Sequence, residues 1–230
     1  MKRLIVVFSS VLACLCIGIS PVYATESEQK AVVTLAALEV ETDYNASDVT
    51  IIREEDTDSN EVRATVIDKT SGEILEKYCE KPEVPVSMLT HKEDVPFCTL
   101  STRDNYNTVL RKTCHIASPS GVNVSTIVWA EVNVTAGQSW GQIEYVRAAG
   151  QNATSGAYTL EGPYTYSRTA SFPTNRVSIG YQGTVMVARG NTLGISYGGV
   201  QTAGFTISGS VSGMWYARKF YSGFVTLSLR

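Results

Sequence analysis

Between residues 79 and 115 the chain gathers Cys79, His91, Cys98, Cys114 and His115, the side chains best suited to nucleophilic or metal chemistry. Cys114 beside His115 has the residue types of a thiol nucleophile and its base. Adjacent residues on an extended strand face opposite ways, so the two are poorly placed to exchange a proton. Three cysteines and two histidines would satisfy zinc in number, yet neither a C-x-x-C nor an H-x-x-x-H knuckle is present. In an exported protein such thiols tend to pair. Cys98 with Cys114 closes the shortest loop, and Cys79 is the alternative partner. Three reduced, buried cysteines are the competing arrangement.

Carboxylates offer less. Asp56, Asp58 and Asn60 alternate as in a calcium loop, but Glu61 stands where an EF-hand needs glycine and Ile67 where it needs an acid. A solvated acidic turn accounts for them better. Residues 119–230 contain only Glu131, Glu144 and Glu161 as acids. Glu131 and Glu144 fall on neighbouring expected strands, but nothing marks them as a hydrolytic pair rather than exposed strand residues. There is no G-x-S-x-G elbow, phosphate-binding loop or dinucleotide fingerprint. No catalytic residue, metal or cofactor is therefore expected.

What remains is an aromatic palette set among Ser, Thr, Asn and Gly. Trp129, Trp140, Tyr145, Tyr164, Tyr166, Trp215 and Tyr216 are the candidate binding surface, since rigid amphipathic rings give contact area at low entropic cost. The same palette suits stacking against sugars. The competing account is that strands favour aromatic residues whatever their function.

The elements that would position these rings follow an N-terminal leader. Lys2 and Arg3 precede an apolar run, Pro21 breaks it, and Val22-Tyr23-Ala24 leads into polar sequence, the layout of a secretory signal cleaved after Ala24. The short leader reads as bacterial. No later stretch is apolar enough for a membrane helix, so no stable membrane span is expected after cleavage. Residues 25–118 hold 19 acids and 10 bases, a balance of −9; residues 119–230 hold 3 acids and 7 bases, a balance of +4. That asymmetry divides the chain into an acidic N-terminal region, 25–118, and a second domain, 119–230, with "ASPSG" at the seam. The overall acidity and scattered C-terminal bases speak against nucleic-acid binding. Sequons at Asn45, Asn123, Asn133 and Asn152 barely exceed what composition gives by chance.

In the acidic region, residues 26–41 fit a helix or a strand equally. "EVRATVID" and "EILEKY" flank "KTSG" as a hairpin, and a proline-rich, irregular connector follows. Residues 102–116 fit a helical turn or a strand. The second region is β throughout, with Val128, Ala130, Val132 and Val134 on one face of its first strand. Later runs recur about every ten residues: "GQIEYVRAAG", "AYTLEGPYTYSR" with a turn at Gly162-Pro163, "RVSIGYQGTVMVARG", "NTLGISYGG", "GFTISGSVSG", "GMWYARKFY" and "FVTLSL". Such spacing predicts an antiparallel β-sandwich in the C-terminal half, preceded by a small β-rich acidic region.

The stretch 204–213 alternates Phe205, Ile207 and Val211 with Ser and Thr, as the wall of a pore would. Gly209 and Gly213 weaken its apolar face, and Arg218 and Lys219 put one charge on each face of the next strand. A charge on the lipid face costs about 2–4 kcal/mol at the bilayer midplane. A water-soluble central strand is therefore expected. The reading that results is a secreted, non-catalytic β-sandwich that binds a protein or carbohydrate ligand at the cell surface or serves structurally there. A membrane-perturbing toxin and an extracellular hydrolase are the alternatives.

Overall fold

The computed structural model describes residues 29–89, 104–136, 140–188, 196–208 and 215–230. It is mainly β, and its twelve strands form two antiparallel sheets. Sheet A takes β1 (Lys30–Thr34), β2 (Leu38–Asn45), β9 (Tyr158–Ser167), β10 (Arg176–Ala188), β11 (Thr206–Ser208) and β12 (Tyr216–Leu229). Their order is β1-β2-β12-β10-β9, with β11 also pairing with β12. Sheet B is a meander of β3 (Val49–Asp56), β4 (Glu61–Asp68), β5 (Ile74–Pro82), β6 (Asp104–Ala117), β7 (Val124–Ala136) and β8 (Gly141–Ala153).

Period-two patterning drives the packing. Along β7, Val128, Ala130, Val132 and Val134 are buried; along β10, Val177, Ile179, Val185 and Val187 are. Val177 and Ile179 join the four β7 residues in the principal core, which Val, Ile and Leu from both sheets make up. A second cluster at one end joins Val124, Tyr158, Val185, Val187 and Ala217 to Val200 and Phe205. Both sheets draw on both halves of the sequence. The acidic half supplies β1 and β2 to sheet A, and the compositional seam lies between β6 and β7, which pair from Asp104↔Ala136 to Ala117↔Val124. The charge boundary thus runs through the middle of sheet B.

Several local expectations change. Residues 26–41, open between helix and strand, contribute β1 and the start of β2. Residues 102–116 fall largely in β6. The supposed irregular connector begins as strand, because Pro82 ends β5 opposite Thr108, where a missing N–H costs least. Gly162-Pro163 is not a turn: β9 runs through it, with the register shifted between Gln182 and Thr184. Gly162 supplies a φ of 56°, and Pro163 lies on an edge strand that can spare a donor. "SYGG" opens a helix, α2 (Tyr197–Thr202), whose Ser196 cap accepts from Gly199 N–H, where a strand was expected. Of the decamer at 204–213, only Thr206–Ser208 forms a strand, and Gly209 to Gly213 fall outside the described residues. The last two expected strands are one, because Ser222-Gly223 continues the ladder against Gln182 and Tyr181.

Glu80 ties the two sheets together. The β1–β2 turn is buried, with Leu35 and Ala36 almost wholly inaccessible, and Leu35 N–H closes it on Leu38 O at 2.8 Å. A turn sunk in the core strands its amides, which need partners. Glu80, itself fully buried on β5, supplies them. Its Oε2 accepts from the N–H groups of Ala36 (2.8 Å), Ala37 (3.1 Å) and Leu38 (3.2 Å), and its Oε1 from Thr108 Oγ1 (2.8 Å). Burial pushes the carboxyl above its ordinary pKa, opposed by the Thr108 hydroxyl and the three amides. A raised carboxyl contributes stability that is complete below the ordinary value of about 4.3 and is lost as pH climbs through the raised one. Glu80→Leu should cost at least about 3 kcal/mol by leaving amides unpaired. Glu80→Gln should cost less, and its deficit relative to the native chain should shrink between pH 4.5 and pH 7.5 in urea titrations. A deficit that widens with pH would refute this account.

Candidate binding faces

The outer face of sheet A carries the largest exposed aromatic group. Even-numbered residues of β10 and β12 point outward, opposite the buried Val177, Ile179, Val225 and Leu227. The register brings Tyr166, Gly180 and Phe224 into one row, Tyr164, Gln182 and Ser222 into the next, and Glu161, Thr184 and Phe220 into a third. Phe220 is 63% exposed, Tyr164 57%, Phe224 53% and Tyr166 40%. Tyr164 and Tyr166 stack at 5.5 Å between centroids, and the Arg168 guanidinium lies 5.3 Å from the Phe224 centroid. At the other end Arg218 grips Glu161 with two hydrogen bonds, Nε to Oε2 at 2.7 Å and Nη2 to Oε1 at 3.1 Å. That contact holds the Glu161 carboxyl below its usual range. The result is a sheet of rings bounded by charge at both ends, with Gln182, Thr184 and Ser222 between them.

The seven aromatic candidates do not converge. Tyr164, Tyr166 and Tyr216 share this face, Tyr216 lying beneath the Arg218 guanidinium. Trp129 sits on the outer face of sheet B, laid over Gly150, and Tyr145 is opposite Asn133 on that same face. Trp140 precedes β8 and is exposed. Trp215 packs against the second core cluster. Phe220 and Phe224 were missed, although their signal is present: Tyr221, Val225 and Leu227 set the inward parity, which leaves both phenylalanines on the solvent side.

Thiol and histidine chemistry finds no constellation. Cys79 and Cys114 are free, and the β5–β6 register, Cys79↔Arg111 and Lys77↔Thr113, puts them on opposite faces of sheet B. They therefore do not form the alternative disulfide; Cys98 and His91 lie outside the described residues. Burial pushes both thiols above their ordinary pKa, Cys79 with help from Glu61. Cys114 points inward toward Tyr181, whose hydroxyl is raised by burial and by that thiol, while His115 bonds outward to Asn123 Oδ1 at 2.7 Å. Glu131 is held by Arg147 at 2.9 Å, and Glu144 accepts from Gln142 at 2.9 Å. Asp56 accepts the N–H groups of Asp58 and Ser59, closing the β3–β4 turn. Among the described residues no three His, Cys, Asp or Glu side chains are grouped to hold a metal.

Beneath sheet B the interior holds a buried ion pair, Lys112 Nζ to Glu76 Oε1 at 2.7 Å, with Tyr78 OH donating to Glu76 Oε2 at 2.5 Å. Burial works to lower the Lys112 pKa, but Glu76, Cys114 and Asp43 together outweigh it and raise the ammonium. Both members are satisfied internally, so the pair belongs to the core. Comparison with known proteins finds no matching family model, curated protein or solved structure.

Three glycines lie under tyrosines, and the side of the sheet decides what each tolerates. A Cβ at Gly180 would come 2.5 Å from Tyr166 Cζ on the exposed face; one at Gly183 would meet Tyr221 Oη at 2.6 Å, and one at Gly223 would meet Tyr181 Oη at 2.5 Å, both inside. Tyr166 can swing into solvent, whereas Tyr221 is anchored to Gln151 Oε1 at 2.9 Å within the packing. Gly180→Ala should leave stability within about 1 kcal/mol while raising the nitration rate of Tyr166. Gly183→Ala and Gly223→Ala should each cost about 1–3 kcal/mol in denaturant melts. Equal costs on the two faces would contradict the assignment.

Proposed function

We propose that the chain is exported and acts as a non-catalytic binding protein at the cell surface or in the extracellular space, with the outer face of sheet A engaging a carbohydrate chain. The observation that carries this is the four-ring face of Tyr164, Tyr166, Phe220 and Phe224 interleaved with hydrogen-bonding side chains. Sugar rings present apolar C–H faces and a rim of hydroxyls, which such a surface matches in kind. Rings stack on the C–H faces while Gln182, Ser222 and the Arg168 guanidinium meet hydroxyls.

Area supports a chain-like ligand over a second folded protein. The exposed fractions of the four rings correspond to roughly 400 Å² at about 200 Å² per ring. That equals the largest patch on many monomers and is about half of what each partner contributes to a standard protein interface. The leader at residues 1–24 supports export. Among the described residues no helix is long and apolar enough to cross a membrane, which leaves strand-based insertion as the rival use of the same rings.

Retention of the mature protein on insoluble cell-surface polysaccharides, measured beside dye release from liposomes, separates the two uses. Binding to a polysaccharide should fall about tenfold in Tyr166→Ala and in Phe224→Ala, as loss of one stacked ring implies. Tyr145→Ala, on the opposite sheet, should bind as the native chain does. Dye release that the same two substitutions abolish, with no polysaccharide retained, would replace carbohydrate binding by membrane attack.

A further inference from the structure

The outer face of sheet B holds a different kind of surface. One row crosses five strands as Glu54, Arg63, Cys79, Arg111 and Trp129, and the next runs through Thr65, Lys77, Thr113 and Ile127. Over these rows opens a hollow of about 350 Å³ whose charged walls are Arg63, Lys77 and Arg111, with Glu54 as the lone acid of its lining. Three cations against one acid leave the lining at +2, in the half of the chain whose overall balance is −9. Other acids touch the hollow only from the end near the β3–β4 turn. There Glu61 takes Arg63 at 2.6 Å, Lys81 at 3.7 Å and Arg111 at 4.0 Å, and Asp56 lies 3.9 Å from Arg63. Glu61 divided among three cations, with Asp56 near Arg63 alone, leaves Arg111 and Lys81 incompletely neutralised.

The donors that remain decide what would fit. Arg63 is pinned by Glu61 and frames the wall. Arg111, 47% exposed, has no ionic contact closer than 4.0 Å, and the Lys77 ammonium has no ion-pair or hydrogen-bond partner among the described residues. Their side chains flank the same hollow with unused N–H groups, and Thr65 and Thr113 add hydroxyls. We infer that this hollow is a second ligand site, which receives a sugar bearing a sulfate or phosphate ester. A tetrahedral oxyanion presents several acceptors at once and so bridges Arg111 and Lys77, where a neutral hydroxyl would leave charge uncompensated. The volume, some ten times the share of one water in the liquid, accommodates the sugar as well as its ester. The Cys79 thiol lies in the floor, where the Glu61 carboxylate reaches it from the turn end.

Calorimetry on the full mature chain tests this with a sulfated disaccharide, a phosphorylated disaccharide, their unesterified parent, inorganic sulfate and inorganic phosphate. The two esters show which source the site prefers, and the inorganic ions show whether the oxyanion alone suffices. At least one ester should bind ten times or more tightly than the parent, and weaken about tenfold between 50 and 500 mM salt. Arg111→Gln and Lys77→Gln should each weaken it fivefold or more, while Arg147→Gln, on β8, should not. Bound ester should also slow alkylation of Cys79 in the native chain, a readout that holds even if a variant folds poorly. Esters and parent binding alike, or affinity lost equally in Arg147→Gln, would overturn the site. So would a Cys79 alkylation rate that saturating ester leaves unchanged. Loss of polysaccharide retention in Tyr166→Ala with ester binding intact would show the two faces to be independent.

Discussion

A carboxylate with no exposure to water holds the sandwich shut. Glu80 belongs to sheet B, the amides it accepts belong to the β1–β2 turn of sheet A, and Thr108 ties its second oxygen to the neighbouring strand β6. Hydrophobic burial would bring two sheets together at many relative positions, because it has no direction. Four directed hydrogen bonds onto one side chain specify one position. With the turn fixed, β2 meets β12 over Leu38–Val40, and β12 carries its register through thirteen paired residues to β10. The outer aromatic face therefore inherits its alignment from a contact on the opposite side of the sheet.

The inward tyrosines show how the interior is filled where side chains vanish. Tyr181 lies over Gly223 and Tyr221 over Gly183, so the two long strands exchange ring for hydrogen in two successive inward-facing pairs. Tyr221 then reaches Gln151 on β8, whose amide also donates to Tyr164 O and Gln182 O, each at 3.0 Å. One glutamine thereby links an edge of sheet B to the strands beneath the exposed rings.

How much of this could be read from sequence depends on the range of the interaction. Period-two alternation in β7 and the β4–β5 hairpin were legible, since both arise from neighbours in the chain. The antiparallel sandwich class was legible for the same reason. The roles of Glu80, Gly180 and Gly223 were not, because each is defined by a residue forty or more positions away or on another strand. Glycine and proline misled in a consistent direction. Gly162-Pro163 and Ser222-Gly223 have turn composition, yet pairing with β10 outweighed it and both lie inside strands. Of the proposed surface, Tyr164 and Tyr166 were identified, but only the fold shows that Phe220 and Phe224 join them. The basic hollow draws one residue from each of several strands and leaves no local motif at all.

The Gly162-Pro163 bulge has a consequence for how this protein behaves when crowded. An open sandwich leaves a free edge at each end of each sheet, and a flat edge recruits further strands from other molecules. Here β9 offers a bulge and a proline without a donor, β8 has two register shifts along it, and β1 has one. The remaining edge, β3, ends in Arg53, Glu54, Glu55 and Asp56. These four edges thus discourage fibre growth by strand addition. Crowded copies would then meet one another or a ligand chiefly through the faces of the two sheets.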